Sequence, residues 1–266
     1  MKQDTKTTKT GPAHAVASRE EWLRARKALL AREKEHTRQR DELTRARMAL
    51  PWVRVEKDYR FTGPQGELSL GDLFRGRSQL LVYHFMFGPD WEEGCQSCSL
   101  ISDHVDGALP HLEARGVSFT AVSRAPIAKL AAFQKRLGWR FPWVSSGKNT
   151  FNHDFGVSFT AEEMRGEVTY NFEQMQGFLE DLPGISAFFR DSDGRIYHTY
   201  STYARGCEPP IGAYAWLDYA PLGRNEDDLA NTMAWVRHHD RYGADYAVDR
   251  ETQWRPPVGA KVRAAD

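Results

Sequence analysis

No apolar run in this sequence approaches the ~20 residues that span a bilayer, so nothing points to a membrane partner. The first nine residues are polar and rich in Thr and Lys, without the apolar stretch of a secretory signal, and the chain reads as cytoplasmic. Neither sign of charge prevails. The 36 basic residues balance 36 acidic ones, which removes any global electrostatic case for nucleic acid or an anionic surface. Cysteines number only three, an odd count and too few for a disulfide framework. A second CxxC and an HxxxH pair, which structural zinc commonly uses, are both absent. What remains is a chain of 266 residues, 41% hydrophobic and 12% aromatic, enough for a sizeable core with extensions.

The few cysteines are placed informatively. Cys95-Gln96-Ser97-Cys98 follows an apolar segment, Leu80-Leu81-Val82-Tyr83-His84-Phe85-Met86-Phe87, and a turn-rich link, Gly88-Pro89-Asp90-Trp91-Glu92-Glu93-Gly94. A helix-like stretch at 99–115 comes next. A CxxC between a buried strand and a helix start is the arrangement that thiol–disulfide chemistry uses. Free N–H groups and the positive end of the helix dipole stabilise a thiolate there. Two intervening residues let one turn bring both sulfurs within disulfide reach. In a reducing compartment such a pair is catalytic or metal-binding rather than structural. Two other readings stay open. Cys95 and Cys98 with a histidine, His84 or His198, would suit copper(I) or zinc, and two buried thiols would also be inert.

Residues 1–17 lack periodicity and read as a disordered tail. Ser18 caps a helical arm over 18–51, with Glu20 and Glu21 in its first turn. Its apolar stripe is thin (Trp22, Leu23, Leu29, Leu30, Leu43, Met48), and its polar middle has a weak point near His36-Thr37. Interleaved acids make its arginines a solvated face rather than an RNA-binding one. So narrow a stripe needs a partner surface, and a second copy is favoured, giving a homodimer through this helix. Residues 52–239 read as an α/β domain, with strands at 52–61, 80–87, 117–122 and 141–144 and helices at 99–115 and 125–138. An insertion near 145–184 carries a strand at 167–172. Two strands, 185–190 and 195–202, flank Asp191-Ser192-Asp193-Gly194 as a hairpin. Helices at 211–219 and 226–239 close the domain, and 240–266 reads as a loose tail. This order builds a mixed sheet with helices on both faces.

The lead-in Tyr59-Arg60-Phe61-Thr62-Gly63-Pro64 through Leu68-Ser69-Leu70-Gly71-Asp72-Leu73-Phe74 resembles the N-terminal extension of peroxiredoxins and their TlpA-like relatives in the thioredoxin superfamily. Three further segments resemble a bacterial thioredoxin-like family, domain of unknown function 899. They are Tyr83-His84-Phe85-Met86-Phe87-Gly88-Pro89-Asp90-Trp91, Arg140-Phe141-Pro142-Trp143-Val144-Ser145-Ser146 and Tyr197-His198-Thr199-Tyr200-Ser201-Thr202-Tyr203-Ala204-Arg205-Gly206. That resemblance covers roughly 18–239 and implies a dithiol–disulfide oxidoreductase. There are departures. Gly94 stands where thioredoxins have Trp. Peroxiredoxins place Pro seven and Thr three residues before the peroxidatic Cys; from Cys95 those positions hold Gly88 and Glu92, and from Cys98 they hold Trp91 and Cys95.

In the dithiol reading Cys95 attacks and Cys98 resolves the mixed disulfide. Asp90, Glu92 and Glu93 lie just upstream and oppose thiolate formation, so only a modest effect on the Cys95 thiol is expected. Trp91 either covers the dithiol as a docking face or packs within its loop. Tyr200, Tyr203 and Arg205 are candidates for a substrate pocket wall, or pack the arm instead. His104 falls on the far side of the helix from Cys98 and reads as a surface residue. Cys207 is a spare thiol. No cofactor is expected, and the partner is a protein or small-molecule disulfide or thiol.

Overall fold

The structure, a computed structural model, describes residues 14–244, 246–251 and 255–262. Most of the tail expected at 1–17 lies outside the described residues. The chain divides into two compact units, Met1–Leu50 and Pro51–Asp266.

The first unit is one helix, α1 (Arg19–Met48). Ser18 Oγ accepts from the Glu21 N–H at 3.2 Å, and the Glu21 carboxylate accepts from the Ser18 N–H at 2.8 Å. This reciprocal cap satisfies two otherwise orphaned donors. Glu20 and Glu21 in the first turn and Arg45 and Arg47 in the last complement the helix dipole. The weak point expected near His36-Thr37 is not a break. The Thr37 hydroxyl donates to the Glu33 carbonyl at 3.0 Å, and Arg38 pairs with Glu35 one turn away, so the polar stretch supports itself. None of the helix's residues is buried.

In the second unit the chain runs β1 (Val53–Arg54), β2 (Arg60–Gly63), β3 (Gly66–Ser69), β4 (Gln79–His84), α2 (Gln96–Ser102), α3 (Leu109–Ala114) and β5 (Val117–Ser123). It continues through α4 (Ile127–Leu137), β6 (Trp143–Ser145), α5 (Phe151–Asp154), β7 (Glu167–Tyr170), β8 (Glu173–Gln176), β9 (Gly184–Arg190), β10 (Ile196–Tyr203) and α6 (Gly212–Leu217). Among the described residues, eight strands form one sheet in the order β1-β10-β9-β4-β5-β6-β2-β3, and β7-β8 form a separate ribbon. β4, β5 and β6 run parallel, whereas β9 lies antiparallel to β4 and β10 antiparallel to β9. A central order of β10-β9-β4-β5, with helices in the β4-to-β5 crossover, is a thioredoxin-like fold.

Strand alternation divides the core in two. Odd positions of β4, with Tyr83 foremost, join a cluster containing Cys95, Cys98, Leu130, Phe133 and Trp143, under α2, α4 and α6. Even positions, Leu80 and Val82, join Phe61, Phe74, Phe151 and Phe188 on the other face, covered by α5 and the short turn Asp72–Phe74. His84 belongs to this second face. It stacks on Phe151 and Phe155, and its Nε2 bonds Ser186 Oγ at 2.8 Å. Burial drops its pKa to about 3, so the ring is neutral.

Four expectations need correction. The run at 52–61 is two strands on opposite edges of the sheet, because Lys57 and Tyr59 are tied to Asp154 (2.6 and 2.8 Å) between them. The helix at 99–115 is two helices. In the turn between them, Asp106 accepts the N–H groups of Arg140 and Phe141, and His104 accepts that of Ala213 at 2.8 Å. His104 is therefore a partly buried clamp, not a surface residue. No helix forms at 226–239. Residues 231–236 instead form a run of turns, with the Ala234 N–H donating to Asn231 O at 2.9 Å and the Val236 N–H to Met233 O at 3.0 Å, and Ala234, Val236 and His238 are buried. Finally, the described end of the chain is not loose: Val258 O accepts from the Glu92 N–H at 3.2 Å, Lys261 pairs with Asp90, and Val262 bridges to Leu179.

Candidate active site

Beyond β4 the chain turns sharply to present the two thiols. Phe85 N–H donates to Val122 O at 2.9 Å and Cys95 N–H returns to Met86 O at 3.1 Å, closing the loop between them. Lys129 donates to Pro89 O and Trp91 O, both at 2.8 Å, and ties the loop to α4. Trp91 is fully buried, so it is a packed loop residue and not a docking face. Gly94 is where the loop is tightest. A β-carbon there would lie 2.7 Å from Phe85 and 2.9 Å from Phe133, so the Trp of thioredoxins has no space here. The Gly94 carbonyl accepts from His238 Nε2–H at 2.9 Å, while Arg136 donates to His238 Nδ1 at 3.1 Å.

Cys95 is the N-cap residue of α2, and Cys98 lies one turn on. Both are buried and reduced. The Cys98 thiol donates toward Cys95, and the N–H groups of Cys98 and Ser97 add to it, so the Cys95 thiol is held below its ordinary value despite burial. Cys98 goes the other way: burial and its neighbour Cys95 raise it well above the usual range. Two of the three upstream carboxylates are ion-paired, which blunts the opposition expected of them: Asp90 with Lys261, and Glu93 with Arg136 and Arg241. The Tyr83 hydroxyl points toward Cys98 without a hydrogen bond of good geometry, and burial raises its pKa strongly.

The thiols line a cavity of about 1010 Å³. Its other walls come from Pro183, the stretch from Ala204 to Tyr214, the turn-rich segment 231–238 and residues 255–258. Of the proposed pocket residues only Arg205 lies there, ion-paired with Glu208 at 2.9 Å. Tyr203 instead donates to Phe155 O at 3.0 Å and borders a separate cleft, and Tyr200, which pairs with Ala187 across the β9–β10 ladder, does not line the cavity. His84 and His198 are on the opposite sheet face, joined to each other through Ser186 and Ser201 (2.8, 2.8 and 2.7 Å). The three-ligand metal set therefore does not assemble, and no cluster of three or more His, Cys, Asp or Glu suited to a metal occurs among the described residues. Three cavity residues went unseen in the sequence. Tyr83 was findable, since alternation along β4 places it opposite His84. Cys207, buried in the same cavity and pushed up to about 12 by desolvation, and Tyr214 carried no local signal.

Fold and site together define a thioredoxin-like α/β domain with a buried CxxC dithiol at the start of a helix. The chain belongs to the family described as "Bacterial protein of unknown function (DUF899)", whose model matches residues 11–242. No curated protein matches it. Solved structures similar to it include the peroxidoxin BcpB of Mycobacterium tuberculosis, at 14% identity over 61% of this chain and 94% of that one, with a TM-score of 0.42. A cysteine-to-serine mutant of Xanthomonas campestris peroxiredoxin Q is 16% identical over 60% and 89%, with a TM-score of 0.41. A putative thiol:disulfide interchange protein DsbE from Chlorobium tepidum is 14% identical over 62% and 95%, with a TM-score of 0.35. No helix among the described residues is long and apolar enough to cross a membrane.

Gly94→Ala should destabilise the fold by about 1–3 kcal/mol, the usual cost of overpacking, although Ala is otherwise a benign replacement. Chemical denaturation checks this; an unchanged midpoint would mean that the two rings yield freely.

Proposed function

We propose that the protein is a dithiol–disulfide oxidoreductase in which Cys95 is the nucleophile and Cys98 the resolving thiol. The observation that supports this most is geometric: Cys95 caps the start of α2 and Cys98 lies one turn on, both lining one cavity. Hydrogen bonds from Cys98 and from the Ser97 and Cys98 N–H groups favour a thiolate on Cys95, while burial favours the protonated form of Cys98. The first sulfur is thus prepared to attack and the second to follow once the first is bonded. Arg205 borders the space in front of them and is assigned to substrate binding. A cytoplasmic setting belongs to this reading, since a dithiol of this kind suits a reducing compartment.

Oxidised protein should carry a Cys95–Cys98 disulfide that dithiothreitol reduces, with Cys207 free. Alkylation of the reduced protein should begin at Cys95 at lower pH than at Cys98 or Cys207, because only Cys95 is shifted downward. A Cys98→Ser variant should accumulate mixed disulfides on Cys95. Mass mapping that finds Cys207 bridged to either residue overturns the assignment.

Hydrogen peroxide should be consumed slowly compared with true peroxiredoxins. Gly88 and Glu92 occupy the positions where Pro and Thr would orient a peroxide before Cys95, and neither supplies those groups. Rapid consumption that disappears in Cys95→Ser would defeat this argument.

We infer also that α1 pairs with α1 of a second copy. Trp22, Leu29, His36 and Leu43 recur every seven residues, the spacing of a coiled-coil seam, and Trp22, Leu29 and Leu43 are 49%, 48% and 62% exposed. Thirty residues make a rod of ~45 Å, long enough to give such a seam several turns. Deleting residues 1–50 should reduce a dimer to a monomer in light scattering. A truncated protein that keeps the full chain's oligomeric state shows that the arm is not the contact.

A further inference from the structure

In an exchange of this kind the attacking sulfur must meet its target in line with the S–S bond, so access to Cys95 decides what the target is. Here access is restricted on several sides. Cys95 is 8% exposed and Cys98 1%. Ala234, Val236 and His238 are buried in the segment beside them, and His238 is bonded to the residue preceding Cys95. Pro256, Pro257 and Val258 close another side, held by the bond from the Glu92 N–H to Val258 O. A sulfur flanked by two folded polypeptide arms cannot enter without displacing these segments. The cavity behind them, about 1010 Å³, has the size of a small-molecule site.

Its chemistry is mixed in sign. Arg205, Arg224, Arg237 and Arg255 line it together with Glu93, Glu208, Glu226 and Asp249, so four positive charges meet four negative ones. Most of these groups are already committed within the protein: Arg205 and Arg224 pair with Glu208, Glu93 with Arg136 and Arg241, Arg237 donates to Ala234 O and Val236 O, and Glu226 accepts from Tyr214 and Trp235, so the wall does not select one sign of ligand. The Tyr83 hydroxyl, on a side chain 1% exposed and lining the cavity, has no hydrogen-bond partner of good geometry, and a small polar ligand would supply one.

We propose that the substrate is a low-molecular-weight disulfide, and that folded-protein disulfides are excluded by segments 231–238 and 255–258. This rests on the dithiol reading above. The Cys95 thiolate attacks one sulfur of R–S–S–R, forming Cys95–S–S–R and releasing one thiolate, RS⁻. Cys98 then loses its proton and attacks Cys95 Sγ, giving the Cys95–Cys98 disulfide and a second RS⁻. The two electrons gained by the substrate come from the protein dithiol, which a low-molecular-weight thiol or dithiol reductant must restore before another turnover.

The test is single-turnover oxidation of the reduced full-length chain by cystine, oxidised glutathione, neutral hydroxyethyl disulfide and insulin. Each rate is divided by that of dithiothreitol with the same disulfide, and the product is read by acid quench and mass spectrometry. A cover open ~1% of the time would slow insulin about 100-fold relative to cystine or oxidised glutathione, and that is the expected gap. The neutral disulfide should keep pace with the charged ones, because the filter is size and not charge. If insulin oxidises Cys95–Cys98 as fast as the small disulfides, the substrate class is wrong while dithiol exchange stands. Should none of the four oxidise the pair, the dithiol reading itself fails.

Discussion

The contact of the Gly94 backbone with the rings of Phe85 and Phe133 fixes where the two thiols lie, and much of the site depends on it. With no side chain at this point, the loop can lie flat on α4 and Cys95 N–H can reach Met86 O. That bond sets the first residue of α2 and therefore the direction in which Cys95 and Cys98 face. The Gly94 carbonyl, left pointing outward, accepts the imidazole N–H of His238 from the far end of the domain. One residue thus joins the exit of the central strand, the crossover helix and the late turn-rich segment. Interiors are packed too closely for such a junction to absorb even one methyl without movement.

The electrostatics follow from the same arrangement. Burial alone would raise both thiols, and for Cys98 and Cys207 it does. Cys95 escapes because the donors around it are local and fixed: one thiol and two backbone N–H groups belonging to its own turn. The seven residues of α2 make a short dipole, so these near hydrogen bonds matter more than the helix as a whole. Asp90 and Glu93 upstream are neutralised by Lys261, Arg136 and Arg241, and two of these cations lie more than a hundred residues further along the chain than their partners.

Much of the fold was legible because it rests on local pattern. The apolar run at β4, the alternation of the β9–β10 hairpin around Asp191-Ser192-Asp193-Gly194, the Ser18 cap and the Gly138 stop of α4 are all short-range signals. The dithiol was legible for the same reason. The segment 226–239 was misread because its helix-compatible residues, Met233 to Val236, stop at isolated turns that tertiary contacts hold in place. Glu226 accepts from Tyr214 and Trp235, and His238 is anchored at Gly94. Tertiary context overrides weak propensity at such places. The pocket wall was misassigned for a related reason. β10 is rich in hydroxyls and aromatics, but Tyr203 is committed to Phe155 O and Tyr200, paired with Ala187, does not line the cavity.

Burying a dithiol has consequences for both reactivity and choice of partner. An exposed thiol meets any disulfide in solution and relies on surface complementarity for selection. A recessed thiol is selected for by the shape and charge of the space in front of it, and it needs internal donors to ionise at all, because water is no longer available to solvate the thiolate. Here the donors are the Ser97 and Cys98 N–H groups and the Cys98 thiol, and the last of these exists only while the pair is reduced. Oxidation to the disulfide removes that donor together with the thiolate it served, so the buried site is left without a charge to solvate. In the proposal above, what segments 231–238 and 255–258 limit is the size of the molecule that passes between them.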